Sequence, residues 1–486
     1  MERKLSELAP QSLWKYFEEI CNIPHPSKKE EKIVEYVKNF GEGLGLETEV
    51  DQVGNIVIRK PATPGYENRK TIILQGHVDM VPQKNNDTRH DFENDPIQVY
   101  VDQGWVKARG TTLGADNGIG VAAAMAVLAD NTLEHGPVEA LFTVDEETGM
   151  TGAFALKEGF LKGDIMLNLD SEDEGELYIG CAGGIDTTAT FRYNTNNVVG
   201  AVQAWKLEVK GLKGGHSGLD IILGRGNANK ILTRILWEAH REYQLQVHSI
   251  DGGSLRNAIP REASAIVITH KEHEEAFEKL VQELTLKIKN ELKNMEPDLL
   301  ITAVPTEIPG EVIDPAITKN LLNGLYACPN GVIRMTDDMP GVVETSTNLA
   351  VVKSDGEKVE VCTLQRSAVD SAKDDLCNMM RSVFEMAGAE VQHSGSYPGW
   401  KPNMNSPILN AMKQVYNNKY GKIPQVKVIH AGLECGIIGG VYPNLDMISF
   451  GPTIRNPHSP DEMVNIETVG LFYDFLVETL KNAPVK

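Results

Sequence analysis

Three apolar runs in this chain stop abruptly at polar chemistry. Thr-Ile-Ile-Leu-Gln (71–75) gives way to Gly76-His77-Val78-Asp79, the run 140–144 to Asp145-Glu146-Glu147, and the run 164–169 to Asp170. Apolar runs of this length are what strands buried on both faces require, and such burial implies helices packed on each side of a sheet. In an open α/β sheet, functional side chains gather beyond the carboxyl ends of the strands. A fourth run, 447–450, is followed after a short loop by His458, and Asp116 stands before an alanine-rich helix that begins near Gly118. The pattern predicts an α/β fold in which His77, Asp116, Glu146, Glu147, Asp170 and His458 converge on one crevice.

At 486 residues the chain exceeds what one core usually serves, so more than one domain is expected. Further strands at 55–59 and 425–429 and helices at 13–20, 29–40, 406–416 and 466–480 complete the α/β part, the second helix ending at the glycine-rich 41–45. The middle of the chain differs. Strands at 205–209, 263–269, 342–347 and 359–364 and helices at 227–243, 277–292 and 374–386 predict an α+β unit with an open sheet face. The expected layout is an α/β domain with a buried mixed central sheet (1–186 and 400–486), interrupted by an inserted α+β domain (187–399).

The formal charge of −21, with no basic block, excludes nucleic acid and anionic membrane surfaces as main partners. Small peptides and metal cations remain compatible. The charged N-terminus lacks a signal-peptide core, and no run approaches a membrane span. The six cysteines never form a Cys-x-x-Cys pair, so free thiols and a cytoplasmic location are expected.

Two histidines with three or more carboxylates suit two zinc ions better than one, since a carboxylate can be shared between metals about 3.5–4 Å apart. Singly, each residue is ordinary: Asp116 could cap a helix, Glu146-Glu147 could be a solvated pair, and the acidic stretch 171–174 reads as a solvated loop. Their joint placement at strand ends is what argues for a site.

The segments Gly76-His77-Val78-Asp79-Met80, Gly114-Ala115-Asp116-Asn117-Gly118, Thr143-Val144-Asp145-Glu146-Glu147-Thr148-Gly149, Leu169-Asp170-Ser171-Glu172 and Asn456-Pro457-His458-Ser459-Pro460 occur in the order typical of one family. The chain resembles, over nearly its whole length, the dinuclear zinc peptidases that include carnosinases and bacterial aminoacyl-histidine dipeptidases. The resemblance implies two Zn2+ per subunit, with Co2+ or Mn2+ as possible substitutes. His77 and Asp170 would bind one ion, Glu147 and His458 the other, and Asp116 would bridge them. Asp79 would orient His77, and Glu146 would serve as general base and then general acid toward a water between the ions. A non-proline cis peptide is implied at Asp116-Asn117.

In the inserted domain, Gly214-Gly215-His216-Ser217-Gly218 is similar to a lid motif whose histidine approaches the scissile carbonyl oxygen. Asn257 and Arg366 match lid residues that bind the substrate's carboxylate end or backbone, and Gly432 matches a backbone contact beside the metals. The remaining histidines are read as structural. The family implies a broad-specificity dipeptidase, Xaa-His dipeptides included, acting as a homodimer through its lid domain. An amidohydrolase of the same fold acting on N-acyl amino acids or longer peptides, and a catalytically silent metal or peptide binder, are the alternatives.

Overall fold

The computed structural model describes residues 4–337 and 339–486. The chain divides into two units: one comprises the chain up to Gly180 with Pro402–Val428 and Leu433–Lys486, the other Cys181–Lys401 with Ile429–Gly432.

The first unit is built on an eight-stranded sheet in the order Glu47–Val50, Ile56–Lys60, Val138–Thr143, Ile72–His77, Ile165–Asn168, Asp446–Ser449, Glu176–Cys181, Gln425–Ile429. The pairings of Val138–Thr143 with Ile72–His77, of that strand with Ile165–Asn168, and of that with Asp446–Ser449 are parallel. Antiparallel strands flank them, so the sheet is mixed. Ile72–His77, Val138–Thr143 and Ile165–Asn168 are buried at every position, as their unbroken apolar runs require. The segment Ala115–Ala129, regularly helical only after the non-helical Asp116 and Asn117, is buried on nearly all sides. It can approach the sheet closely because a Cβ on Gly120 would lie 2.4 Å from the Leu169 carbonyl oxygen, and one on Gly76 would lie 2.3 Å from Asn117 Oδ1.

The helix expected to end at 40 continues through the glycines to Gly43. Gly41 faces Thr48 and Ile58 with no room for a side chain, so the glycine there serves packing against the sheet rather than helix termination. A four-stranded sheet of Val99–Asp102, Trp105–Ala108, Ile454–Arg455 and Met463–Asn465 was not expected. Its strands are too short and too open for a periodic signal.

The second unit carries a nine-stranded sheet in which every pairing is antiparallel. In Val202–Lys210, Trp205, Leu207 and Val209 point into a core formed with the helices Ala228–Tyr243, Glu274–Glu291, Pro315–Ala327 and Asp370–Met386, while Lys206 is exposed on the other face. Asn227 caps the first helix through Lys230 N, and Asp314 caps the third ahead of Pro315. The unit is an α+β layer, helices on one sheet face.

Candidate metal centre

The strand Ile72–His77 ends on His77, and its parallel neighbours place Thr143 beside His77 and Asn168 beside Gln75. The residues that follow those neighbours, 144–147 and 169–170, emerge at the same level. Asp145 adopts a left-handed φ of 54°, which turns the chain out of the strand into the short helix Glu146–Gly149. Asp79 holds that helix from outside: Oδ1 accepts from Glu146 N at 3.0 Å, and Oδ2 accepts from Glu147 N at 3.2 Å and Ser27 Oγ at 2.8 Å.

The same residue orients the imidazole. His77 Nδ1 donates to the Asp79 carbonyl at 3.0 Å and lies 3.3 Å from Asp79 Oδ1. Nε2 is left 3.1 Å from Asp116 Oδ1 and 3.3 Å from Asp170 Oδ1. On the other side, His458 Nε2 lies 3.3 Å from Asp116 Oδ2 and 3.0 Å from Glu147 Oε2. Two triads result, His77–Asp116–Asp170 and Asp116–Glu147–His458, each with donor atoms within 4.8 Å of one another. Asp116 belongs to both and offers a different oxygen to each. Its peptide bond to Asn117 is cis, and the Asn117 side chain is fixed by a 2.6 Å bond to the Leu169 carbonyl.

The cluster is short of positive charge. Burial alone would lower the His77 pKa, but Asp170, Asp116 and Asp79 hold it well above its ordinary value. Hydrogen bonds to Asp116 and Glu147 push His458 up to about 11. Even so, burial outweighs the pull of His77 at Asp170, which is raised to about 7. Burial, and then the charges of Asp170, Glu434 and Glu147 against the opposing pull of His77, place Glu146 well above the ordinary carboxylate range. Asp79 goes the other way, because the bonds from His77, Glu146 N and Ser27 overcome its burial and hold it at about 2.

The buried Asp170 Oδ1 is met by His77 Nε2 at 3.3 Å, and Glu147 Oε1 is shielded from solvent without a hydrogen-bond partner. Buried polar atoms are rarely left so in proteins. Surplus negative charge, an unpartnered carboxylate oxygen and two imidazoles form the donor set that divalent zinc-like ions take. The residues therefore fit a pair of metal ions sharing Asp116.

Two buried carboxylates here carry no local signal in the sequence. Glu434 accepts from Gln75 Nε2 at 2.6 Å and Thr143 Oγ1 at 2.8 Å beneath the strand ends. Glu462 accepts from the backbone that leads into Asp116. The stretch 171–174 is also more structured than a solvated loop: Ser171 is buried against Ser449 Oγ at 2.7 Å, and Glu174 accepts from Tyr416 at 2.5 Å. Burial, then Asp116 and Asp170, push Glu172 up to about 8.

His216, Asn257, Arg366 and Gly432 lie in the second unit. His216 sits on a two-residue strand, Gly215–His216, paired with Ala258–Ile259, and Ser217 N donates to the Asn257 carbonyl at 2.8 Å. The His216 Nδ1 accepts from Gly218 N at 3.1 Å and Leu219 N at 3.0 Å. Burial and the nearby Arg366 lower its pKa to about 4. A neutral ring whose Nδ1 accepts must carry its proton on Nε2. Arg366 is buried, bonded to Ser217 Oγ at 3.4 Å and Tyr397 OH at 3.0 Å, with no carboxylate in ion-pair contact among the described residues. The Asn257 side chain is exposed.

The sequence profile of peptidase family M20/M25/M40 matches residues 73–482. The chain belongs to this family. The cytosol non-specific dipeptidase of Escherichia coli is 49% identical to it over 483 residues, covering 99% of this chain and 100% of that one. The crystal structure of aminoacylhistidine dipeptidase from Vibrio alginolyticus superimposes with a TM-score of 0.96 at 50% identity, covering 100% of this chain and 99% of that one. An aminopeptidase, PepT, from Bacillus cereus shares the fold at a TM-score of 0.58 and 17% identity, covering 98% and 99% of the two chains.

Proposed function

We propose that this M20/M25/M40 chain is a metal-dependent dipeptidase, its ions held by His77, Asp116, Glu147, Asp170 and His458. The observation that carries the reading is the pair of triads that share Asp116 through its two oxygens. It is supported by full-length similarity to the two dipeptidases above. Zinc is the first candidate and Co2+ or Mn2+ the alternatives, because imidazole and carboxylate ligands accept all three.

Bound at these residues, the ions would polarise the scissile carbonyl and make water acidic enough to attack near neutral pH. The protein's own part is positional and protonic. Asp79 fixes the His77 ring and, through the Glu146 and Glu147 amides, the start of the helix that carries the base. Glu146 takes a proton from the attacking water and returns it to the departing amine. In this reading 1–186 and 400–486 carry the catalysis and 187–399 is the lid and dimerisation domain. His216 Nε2–H donates to the developing oxyanion, while Arg366, Asn257 and the Gly432 backbone hold the rest of the substrate. Among the described residues no helix is long and apolar enough to cross a membrane; a cytoplasmic homodimer is part of the proposal.

The test is a panel of dipeptides, a tripeptide and N-acyl amino acids, offered to protein stripped of metal and reloaded with zinc. Zinc-restored cleavage confined to dipeptides is expected, with the panel ranking Xaa-His against other pairs. Cleavage of N-acyl amino acids alone would replace the substrate class, and bound metal without turnover would make the chain a silent binder.

A further inference from the structure

We propose that Glu462 is a positioning residue of the metal centre, a carboxylate clamp that ties the loop bearing His458 to the backbone presenting Asp116. Glu462 is 2% exposed. Its Oε2 accepts from Leu113 N at 2.7 Å and Gly114 N at 3.0 Å, and its Oε1 accepts from Ala115 N at 2.8 Å and Asp116 N at 3.2 Å. Successive backbone amides converging on one carboxyl group form a nest. With both oxygens engaged by two donors each, Glu462 has no oxygen to spare for a metal ion. Its action is on what it holds.

The clamp joins the two ends of the shared-carboxylate arrangement. Asp116, whose amide is the last of the four donors, is the residue common to both triads. Four residues before Glu462, on the same loop, stands His458, which faces Asp116 Oδ2. That loop is irregular, with left-handed φ at Asn456 (54°) and His458 (59°), and it closes through Glu462 N donating to the Ser459 carbonyl at 2.9 Å. The ladder between Ile454–Arg455 and Met463–Asn465 fixes the two ends of this loop, and the four amide bonds of Glu462 tie it in addition to residues 346 to 349 places earlier in the chain.

This inference rests on the metal-binding reading but not on the substrate. Glu462→Gln keeps the shape and removes the charge; its amide has one acceptor oxygen, so two of the four N–H groups face an NH2 instead. The measurement is Zn2+ and Co2+ affinity of the full chain by chelator competition, with the Co2+ visible spectrum and the kcat and KM at saturating metal. We expect at least one ion to bind about 10- to 100-fold more weakly, the Co2+ spectrum to shift, and excess metal to recover kcat at an unchanged KM. Glu462→Asp, which retains the charge one methylene short, should fall between wild type and Glu462→Gln. Wild-type affinity and spectrum for both ions in Glu462→Gln would overturn the proposal. So would failure of both variants to fold, because Glu462 would then be a residue of the fold at large. A wild-type chain that binds the ions yet cleaves no dipeptide overturns the substrate reading alone, and metal affinity still decides the clamp.

Discussion

His77 and His458 lie among carboxylates, and their imidazoles are held in the charged form by Asp116, Asp170, Asp79 and Glu147. His216 and His430, in the second unit, are held neutral instead: burial and Arg366 lower them to about 4 and about 3. The same side chain is thus used in opposite states. In the first unit the surroundings demand a cation, and protons on the two imidazoles supply it. In the second unit a buried guanidinium already supplies the charge, and the histidines are left as neutral hydrogen-bonding groups. The contrast matches the proposal that the first unit holds metal and the second meets the substrate's oxyanion or carboxylate.

The strongest way to break that contrast is to remove the shared carboxylate. Asp116→Asn withdraws an anionic ligand from both triads at once. Metal analysis should then find neither ion retained and peptide turnover at background, while the second unit keeps its fold by circular dichroism. Retention of both ions would end the role of Asp116 as the common ligand.

Two further substitutions sharpen the comparison, because they should cost activity without costing metal. Glu146→Gln removes the proton carrier and should lower kcat by about 10²- to 10⁴-fold, in the range of general acid–base catalysis. His216→Ala removes one oxyanion donor, for which about 10²- to 10³-fold is typical. Both proteins should bind two equivalents of zinc by direct titration. A drop in zinc content for His216→Ala would place that histidine with the metal ligands rather than opposite them.

Much of the first region was legible because local sequence and site coincide there. His77, Glu147 and Asp170 follow directly on runs that only buried strands use, and Asp116 precedes a helix of unmistakable composition. Glu434 and Glu462 were invisible for the opposite reason. Glu434 meets Gln75 and Thr143 from 359 and 291 residues away, and Glu462 reaches 346 residues back to Asp116. No periodicity marks a carboxylate whose partners are so distant. Arg366 could be singled out by resemblance, yet that it is buried and bonded to Tyr397, with Asp186 acting on it only at longer range, is a property of the folded sheet alone. The helix Pro315–Ala327 is a different case: it was not among the expected helices, although its Asp314-Pro315 start is a plain local signal.

The smallest expected effect is on stability against acid, and it isolates the neutral histidines. His430 is buried, its Nε2 bonded to Ser346 Oγ at 2.7 Å, and it is faced by Arg366 and His216; His216 is faced by Arg366 and, with opposite sign, Asp220. In the unfolded chain both rings protonate near pH 6.5. In the folded chain they stay neutral down to about 3 and about 4. Between pH 6.5 and 4 the unfolded state therefore binds more protons, so this contribution is complete above 6.5 and declines as pH falls. For His430 the decline is at most about 1.4 kcal/mol per pH unit, and less for the more open His216. The carboxylates of the first unit also titrate in acid, so the informative quantity is a difference. His430→Gln, which cannot titrate, should show a shallower loss of amide-exchange protection in the second unit from pH 6.5 to 4 than wild type, with the first unit unchanged. Parallel curves for the two proteins would mean that His430 is protonated in the folded chain, and the opposition between the two pairs of histidines would reduce to His216 alone.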